Sequence, residues 1–512
     1  MGCGPTGDSA SRSPSGAGED DRPMDWSYPL LAACERHPRR TAIRHRGSAL
    51  TFGELEERIT RTASALHAVG AGGRAVGWLL PTAPAAIEIS MGLARAGALA
   101  VPLNPRLNAA EIAFICSDSK VEVLIVGPEF AALAEAVVAL TDSPPRVFTA
   151  QELDAHADPA SSPDGWLIDD DAPATVTYTS GTTGLPKGVV RTHRANAWNV
   201  MNSALGSPRT STDVELFTLP AYGIGLLHFA IPVLLGGAML VLDDEFDAAR
   251  TWRLLAEERA TRAFLAPTMM SSMLEVPGHE DLDLSALEVI YTAYEFSARL
   301  RERALGRFGD IFVSMYGLTE AQLTCAAVGD LTRKPGSVGT AMGAARMRVV
   351  AEDGTPLPAG EVGEIALHGP SVMSGYHRRP EDTAAALRDG WLHTGDLGFI
   401  DADGDLHYAG RSKEMIKTGG FSVDPREVEQ VLLGIPGIEQ AAVLGIADEH
   451  WGEMVIAIVA PTGAVDAAAI TSACRERLAG FKVPKRIHEL DVLPVNATGK
   501  VERGRLRERY AG

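Results

Sequence analysis

The sequence has few cysteines and no excess of positive charge. Its five cysteines lie far apart and form no C-x-x-C pair, which disfavours a disulfide framework or a zinc site and predicts a reducing, cytoplasmic location. Lys and Arg number 47 against 66 Asp and Glu, so the net charge is −19. Because nucleic acids and anionic membranes attract basic surfaces, we expect no nucleic-acid partner and no anionic-membrane partner.

The amino terminus lacks the apolar segment of a secretory signal. Residues 1–24 are mostly Gly, Ser, Pro and charged residues without an apolar period, and this composition predicts a disordered tail. Met1-Gly2-Cys3 loosely resembles an acylation site. The match carries little weight, because motifs this short recur by chance. Modification of these three residues therefore stays open.

Long apolar runs are also scarce, and the one candidate membrane span is interrupted. Ile224 to Leu242 is almost wholly apolar and long enough to cross a bilayer. The run contains residues that break a membrane helix, namely His228, Pro232 and the Gly236-Gly237 pair. We therefore predict a short buried helix, a turn and a buried strand here, and no stable membrane insertion.

The sequence does contain a stretch rich in glycine and hydroxyl side chains, from Tyr178 to Gly188. After the tyrosine, ten positions hold four hydroxyl side chains, three glycines and one lysine. Glycines let successive N–H groups point into one concavity, and the hydroxyls and the lysine add donors and charge. The stretch predicts a polyphosphate cradle that follows a strand. It is not a Walker A loop, because Pro186 precedes the lysine and a glycine follows it.

This stretch resembles the phosphate-binding signature of the adenylate-forming superfamily, which includes acyl- and aryl-CoA synthetases, peptide-synthetase adenylation domains and luciferases. Four further motifs resemble those of the family, in its order and near its spacing: Tyr316–Glu320, Gly390–Gly398, Gly410–Lys417 and Asn496–Val501. The resemblance covers the chain from about Trp26 to its end. It is closest to the acyl- and aryl-CoA ligases, because Asp448–Glu453 and Phe481–Lys485 are similar to segments of those enzymes.

The resemblance implies a reaction and a role for each motif. A carboxylate would attack the α-phosphate of ATP to give an acyl-AMP and pyrophosphate, and CoA would then displace AMP. The nucleotide and CoA contacts would come from Thr179, Ser180, Gly181, Thr182, Thr183, Gly184, Tyr316, Asp396, Arg411, Gly419 and Gly420. The catalytic residues would be Lys187, Thr319, Glu320 and Lys500. Glu320 would hold Mg²⁺, which prefers carboxylate and phosphate oxygens.

Length and periodicity predict an α/β protein of more than one domain. Helical and strand patterns alternate, as in Phe52–Ala68 and Val121–Val126, which predicts parallel sheets flanked by helices. The predicted division is a large N-terminal domain (residues 25–410), a hinge (411–414) and a mobile α+β domain (415–512). The N-terminal domain would include a small β-subdomain after Gly336. The resemblance implies that Lys413 is the hinge residue.

The predicted acid pocket departs from the family pattern. Its residues would be Tyr222, Gly223, Tyr294 and Gly317. Acyl-CoA synthetases usually carry a histidine where this chain has Gly223, and small residues where it has Tyr294-Glu295. His228 is a poor substitute, because on an α-helix it would point roughly 140° away from that position. Repacking without functional change and a pocket for a small or aryl acid are both open explanations.

Several alternatives remain open beside an acid–CoA ligase. A small pocket without the histidine is also compatible with an enzyme that adenylates nitrite, as an ATP-dependent diazotase does. A carrier protein would be an alternative acceptor to CoA. A nucleotide-binding pseudoenzyme is the non-catalytic alternative, although the lysines, carboxylates and arginine of the motifs are all present. The sequence leaves the oligomeric state open.

Overall fold

The computed structural model describes residues 25–158, 168–179, 186–293, 296, 298–325, 327–411, 414–418, 421–448, 451–463, 466–496 and 501–510. The α-helices, in chain order, are α1 (Tyr28–Arg36), α2 (Phe52–Ala68), α3 (Pro84–Arg95), α4 (Ala109–Asp118), α5 (Ala131–Leu140), α6 (Ala150–Asp154), α7 (His193–Gly206), α8 (Ile231–Leu235), α9 (Ala248–Glu257), α10 (Pro267–Met273), α11 (Ala298–Phe308), α12 (Asp330–Arg333), α13 (Pro380–Ala386), α14 (Pro425–Leu433), α15 (Ala467–Arg477) and α16 (Arg503–Tyr510).

The strands, in chain order, are β1 (Thr41–His45), β2 (Ser48–Thr51), β3 (Ala75–Leu79), β4 (Leu99–Pro102), β5 (Val121–Val126), β6 (Arg146–Thr149), β7 (Pro173–Thr179), β8 (Lys187–Thr192), β9 (Val214–Phe217), β10 (Met239–Leu242), β11 (Arg262–Phe264), β12 (Val289–Ala293), β13 (Phe312–Leu318), β14 (Ala321–Cys325), β15 (Thr340–Ala341), β16 (Arg346–Val350), β17 (Gly363–His368), β18 (Gly375–Tyr376), β19 (Leu387–Arg388), β20 (Trp391–Ile400), β21 (Leu406–Arg411), β22 (Ile416–Thr418), β23 (Phe421–Val423), β24 (Ile438–Asp448), β25 (Gly452–Pro461) and β26 (Arg486–Glu489).

Two mainly parallel sheets form the larger part of the molecule. In one sheet the strand order is β18-β8-β7-β4-β3-β5-β6, and in the other it is β15-β14-β13-β12-β11-β9-β10-β1-β2. Their central strands pair in parallel, which confirms the predicted parallel sheets. Antiparallel pairs occur toward the edges, where β7 pairs with β8 and β13 pairs with β14. These two hairpins carry the first and second predicted nucleotide motifs.

Helix α2 illustrates how local sequence fixes the elements that flank the sheets. Thr51 and Glu54 form a capping box, in which each side chain accepts a hydrogen bond from the backbone N–H of the other. Leu55, Ile59 and Leu66 follow at helical spacing and are fully buried. The helix therefore begins at Phe52 and turns one apolar face to the core, as the sequence predicts.

The predicted β-subdomain after Gly336 is present as a separate antiparallel sheet. Its strands run in the order β16-β17-β20-β19, and β21 also pairs with β20. At the β20–β21 turn the Lys334 ammonium lies 3.6 Å from Asp401 and 2.7 Å from Asp403, and it also contacts Asp405. Lys334 thereby fastens the segment before the subdomain to this turn.

The chain enters another sheet after β21. This C-terminal sheet has the order β23-β22-β25-β24, with β26 parallel to β25. Helices α14 and α15 contribute to the apolar cluster on one face, and α16 contributes to the cluster on the other. The α+β character of this region is confirmed. The hinge at 411–414 stays a prediction, and Lys413 lies outside the described residues.

The apolar run from Ile224 to Leu242 folds as short buried pieces. A π-helical turn spans Leu226–Ala230, α8 follows, and β10 completes the run. This confirms the predicted helix, turn and strand. Within the described ranges, no helix combines the length and apolarity needed to cross a bilayer.

Candidate functional site

The first predicted motif connects the antiparallel strands β7 and β8. Thr179 and Lys187 are opposite each other in the antiparallel register, so the loop begins and ends at adjacent positions. Five predicted phosphate-binding residues between them, Ser180, Gly181, Thr182, Thr183 and Gly184, lie outside the described residues. The Lys187 ammonium lies 2.7 Å from Asp382 and 5.5 Å from the ring centre of Tyr376. The lysine therefore has an internal counter-ion at the site where phosphate binding is predicted.

The base of this hairpin is anchored by Tyr178. Its hydroxyl donates a 2.6 Å hydrogen bond to the Asp118 carboxylate at the end of α4. Burial and this hydrogen bond raise the pKa of the Tyr178 hydroxyl, which therefore keeps its proton. Arg379 lies 3.4 Å from the same carboxylate. Asp118 thus links the β7–β8 hairpin to the segment that follows β18.

The second motif forms the tight turn between β13 and β14. Thr319 and Glu320 are the two residues of this turn. The Tyr376 hydroxyl donates a 2.9 Å hydrogen bond to the Glu320 carboxylate, and the Met373 N–H donates a 2.8 Å bond to the Glu320 carbonyl. Tyr376 therefore contacts both Lys187 and Glu320, and it brings the first two motifs together.

Asp396 of the third motif is held by two phenols. Tyr316 donates a 2.8 Å hydrogen bond to one carboxylate oxygen, and Tyr408 donates a 3.4 Å bond to the other. Asp396 is 1% exposed, and burial together with its charge raises the pKa of Tyr316 well above the usual value. The backbone of Arg411 lies opposite Asp396 in the β20–β21 register. The two tyrosine hydroxyls thus hold the Asp396 carboxylate in one orientation without adding a charge.

The predicted acid pocket contains a buried hydroxyl, that of Tyr222, and open space beside Gly223. The Tyr222 hydroxyl is buried and has no hydrogen-bond partner within the described part of the chain, and burial raises its pKa. A Cβ atom added at Gly223 would meet nothing closer than the Pro220 carbonyl, at 3.6 Å. Gly317 lies at a register shift in β13, and Tyr294 lies outside the described residues. Space for a small side chain or ligand atom therefore exists at Gly223.

The sequence analysis missed a buried polar cluster behind the second motif. Arg191 of β8 is 1% exposed and donates a 3.3 Å hydrogen bond to the Thr319 carbonyl and a 3.2 Å bond to the Asn199 side chain. Asn199 in turn lies 3.2 Å from Nδ1 of His228. Burial and the charge of Arg191 lower the pKa of His228 well below its usual value, so its ring is neutral. An arginine shortly after the phosphate-binding stretch, in the run Gly188-Val189-Val190-Arg191, was the available signal.

His228 lies on a π-helical turn rather than on the α-helix that the sequence analysis assumed. Its ring contacts α7 through Asn199, and its Nε2 atom has no hydrogen-bond partner in the described ranges. The roughly 140° angle expected from α-helical geometry therefore does not apply at this position.

The loop of the predicted catalytic lysine is closed at its base. Lys500 lies outside the described residues, but the flanking Val495 and Val501 form an antiparallel bridge. Arg503 begins α16 and donates hydrogen bonds of 2.8 and 2.9 Å to the two oxygens of Glu429. This buried pair ties the end of the lysine loop to α14.

The two glycines of the predicted CoA loop connect β22 and β23 in the sequence. Gly419 and Gly420 lie outside the described residues, and their neighbour Thr418 pairs with Gly452 of β25. Next to this pairing, Trp451 is 38% exposed and has the Lys485 ammonium 5.4 Å from its ring centre. An exposed ring and a cation beside the Thr418–Gly452 pairing form a surface suited to a nucleotide or pantetheine chain.

The structure favours Glu320 over the acidic turn as a magnesium ligand. Asp401, Asp403 and Asp405 are close enough together to hold a cation, but the Lys334 ammonium already pairs with all three. The Glu320 carboxylate is half-buried beside the phosphate hairpin. A carboxylate oxygen is a hard donor that suits Mg²⁺, so the residues present fit the predicted ion.

Comparison with known proteins agrees with this arrangement. Residues 30–377 match the profile of the AMP-binding enzyme family, and residues 427–500 match the AMP-binding enzyme C-terminal domain. The chain is 38% identical to a feruloyl-CoA synthase of an Amycolatopsis species over 94% of this chain and 98% of that protein. It is 36% identical to the indoleacetate–CoA ligase of Aromatoleum aromaticum over 93% of this chain and 96% of that protein.

A solved structure extends the similarity to the fold. The ATP-bound MatB of Rhodopseudomonas palustris superposes with a TM-score of 0.86 at 29% sequence identity. The superposition covers 95% of this chain and 99% of that one.

Proposed function

Because the chain belongs to the family of AMP-binding enzymes, we propose that it joins a small or aryl acid to CoA with ATP, through an acyl-AMP intermediate. The observation that carries this proposal is the position of Tyr376, which contacts both Lys187 and Glu320. The Lys187 ammonium thereby lies over the Tyr376 ring, and the Glu320 carboxylate accepts a hydrogen bond from its hydroxyl. This arrangement suits a substrate that brings phosphates and a metal ion together.

In the first step, a carboxylate oxygen of the acid would bond to the α-phosphorus of ATP, and pyrophosphate would leave. Both reactants are anions, so the site must offset their repulsion and the charge that develops at phosphorus. Lys187 and the hairpin that begins at Thr179 would bind the outer phosphates, and Lys500 would bridge the attacking carboxylate and the α-phosphate. Mg²⁺ held by Glu320 would neutralise phosphate charge. Thr319 would donate to phosphate.

Asp396 would accept hydrogen bonds from the ribose hydroxyls. Its carboxylate is already oriented by Tyr316 and Tyr408, so little order would be lost when the nucleotide binds. In the second step, the CoA sulfur would bond to the acyl carbon and AMP would leave. The predicted CoA residues Gly419 and Gly420 follow Thr418, which pairs next to the exposed Trp451; this supports CoA as the acceptor, and a carrier protein is the second candidate.

The pocket supports a compact substrate. Tyr222 lies partly buried against the main apolar core. Its buried hydroxyl has no hydrogen-bond partner among the described residues, which favours an acid that supplies a polar group. The open space at Gly223 also accommodates the alternative in which nitrite is adenylated, since nitrite needs little volume. These two substrate classes differ in the products that they release.

The test is release of pyrophosphate and AMP from a panel of acids, with and without CoA. Ferulate, indoleacetate, benzoate and dodecanoate cover aryl and long-chain acids, and nitrite with an arylamine covers the alternative. An aryl acid should release pyrophosphate, with AMP and a thioester appearing when CoA is added. Turnover with nitrite and an arylamine, but with none of the acids, would replace the proposal by the diazotase reaction. ATP binding without any turnover would indicate a pseudoenzyme.

A further inference from the structure

Arg191 is a buried arginine that no predicted motif includes. It lies on β8, four residues after Lys187, and alternate residues of a strand share one face. Its side chain is 1% exposed. Among the described residues its hydrogen-bond acceptors are uncharged oxygens: the Asn196 side chain at 2.9 Å, the Ala195 carbonyl at 3.2 Å, the Asn199 side chain at 3.2 Å and the Thr319 carbonyl at 3.3 Å.

The charge of this guanidinium faces the second motif. Burial lowers the pKa of Arg191 to about 10, and the carboxylate of Glu320 opposes that lowering. The side chain therefore keeps its charge near neutral pH. A buried charge without a directly bonded carboxylate is costly, and such a group is retained where its field or its geometry serves a purpose.

The turn that Arg191 contacts has three attachments. Arg191 binds the Thr319 carbonyl, the Met373 N–H binds the Glu320 carbonyl, and the Tyr376 hydroxyl binds the Glu320 carboxylate. Arg191 approaches from β8, the strand that begins with Lys187. The arginine therefore sets the distance between the strand of the phosphate hairpin and the Thr319–Glu320 turn.

Arg191 also reaches the helix beside the acid pocket. The Asn199 oxygen accepts from Arg191, while its nitrogen lies 3.2 Å from His228 Nδ1 and 3.4 Å from the Leu227 carbonyl. Both ends of this amide are used, so its orientation is set. The Arg191 guanidinium thus contacts the Thr319–Glu320 turn directly, and it contacts the π-helical turn that follows Tyr222 through Asn199.

We infer that Arg191 is a positioning residue for adenylation, which holds the Thr319–Glu320 turn at the separation from Lys187 that metal-bound ATP requires. This rests on the proposed function, in which Glu320 holds Mg²⁺. Arginine suits the position because its planar fork contacts several acceptors at once, whereas lysine carries the same charge on a single atom. Charge alone is therefore insufficient.

The test measures how Mg²⁺ supports ATP binding in Arg191→Lys and Arg191→Met proteins. Loss of a charged hydrogen bond to the turn should raise the Mg²⁺ concentration for half-maximal ATP binding about tenfold in Arg191→Lys. The shift should be larger in Arg191→Met. Calorimetry gives this value without any acid present, and pyrophosphate release gives kcat in parallel.

Arg209→Lys is the matched control. Arg209 has a side-chain exposure of 2% and pairs with Glu215 away from the turn, so its replacement should lower the melting temperature without changing the Mg²⁺ requirement. A double variant adds Tyr376→Phe, which removes a second attachment of the turn. If both side chains hold one turn, the effects of Arg191→Lys and Tyr376→Phe should not be additive.

An unchanged Mg²⁺ requirement in Arg191→Lys, or the same shift in Arg209→Lys, would overturn the inference. Should the Arg191 variants fail to fold, Asn196→Ala removes one acceptor and keeps the arginine, and an unchanged Mg²⁺ requirement in that protein would overturn it equally. Absence of acyl-AMP with any acid in the unmodified protein would instead refute the proposed function. In that case the Mg²⁺ dependence of ATP binding still decides the role of Arg191.

Discussion

The ion pair between Glu429 and Arg503 should dominate the stability of the C-terminal sheet. Glu429 is 8% exposed, accepts both hydrogen bonds from Arg503, and also accepts a 2.7 Å bond from the Val443 N–H. Arg503 further donates a 3.0 Å bond to the Val443 carbonyl. Replacing Arg503 by Met removes the charge and leaves the buried carboxylate, among the described residues, with the Val443 N–H as its donor.

The expected loss of stability is about 3–5 kcal/mol, because one member of a buried pair is removed and its partner stays in place. Amide hydrogen exchange in β24 should therefore accelerate by about two to three orders of magnitude or more, at about 1.4 kcal/mol per tenfold. Arg505→Met is the control: Arg505 is 73% exposed and pairs with Glu502 at the surface. Its replacement should change stability by less than about 1 kcal/mol.

The defect should depend on pH in a defined direction. Burial raises the pKa of Glu429, and Arg503 opposes that rise; without Arg503 the pKa should rise further. An acid with a raised pKa in the folded state binds its proton more tightly when folded, so stability falls as pH increases above the usual range of glutamate. The defect of Arg503→Met should therefore be smaller at pH 5 than at pH 8.

A second substitution separates an unpaired charge from lost packing. In Glu429→Gln/Arg503→Met the buried group is neutral, so most of the lost stability should return and its pH dependence should disappear. A loss below about 1 kcal/mol in Arg503→Met, or a loss that is the same at both pH values, would refute the reasoning.

Three further predictions concern the nucleotide and acid sites. Lys500→Ala should slow pyrophosphate release by about a hundredfold or more while calorimetry finds ATP affinity nearly unchanged, because the lysine acts mainly in the transition state; an unchanged rate would contradict its role. Asp382→Asn removes the carboxylate 2.7 Å from Lys187 and should lower the KM for ATP by about two- to fivefold, since a partly exposed pair is worth about 1 kcal/mol at most; a higher KM would argue against phosphate binding by Lys187. Tyr294→Gly should raise kcat/KM for dodecanoate relative to benzoate, because a ring is removed from the predicted pocket; equal use of both acids by the unmodified protein would show that Tyr294 points elsewhere.

Elements with a strong local pattern could be predicted from the sequence. Helix α2 and strand β5 begin and end where their periodicity predicts, because caps and apolar spacing act within a few residues. The strand before the first motif was predicted for the same reason and is present as β7. The family membership followed from the motifs and is confirmed by the comparisons.

Contacts between distant parts of the chain could not be predicted in the same way. Tyr376 reaches Glu320 because β18 pairs with β8 across an edge of the sheet, and sequence periodicity carries no information on that pairing. The role of Arg191 could not be predicted either, because its contact with the Thr319 carbonyl joins β8 to the β13–β14 turn across 128 residues of sequence. The π-helical turn at His228 is a further case, since tertiary packing sets it.

The short strand β18 has a consequence for how the protein should respond to a bound nucleotide. It pairs with β8 of one parallel sheet, its Tyr376 holds a turn of the other, and the chain on either side of it belongs to the β-subdomain. A ligand bound at this junction stabilises the folded state in which all three sheets are intact, because the site is complete only in that state. Nucleotide should therefore merge their unfolding into one transition, and the gain in melting temperature should appear in every part of the large domain rather than at the hairpin alone.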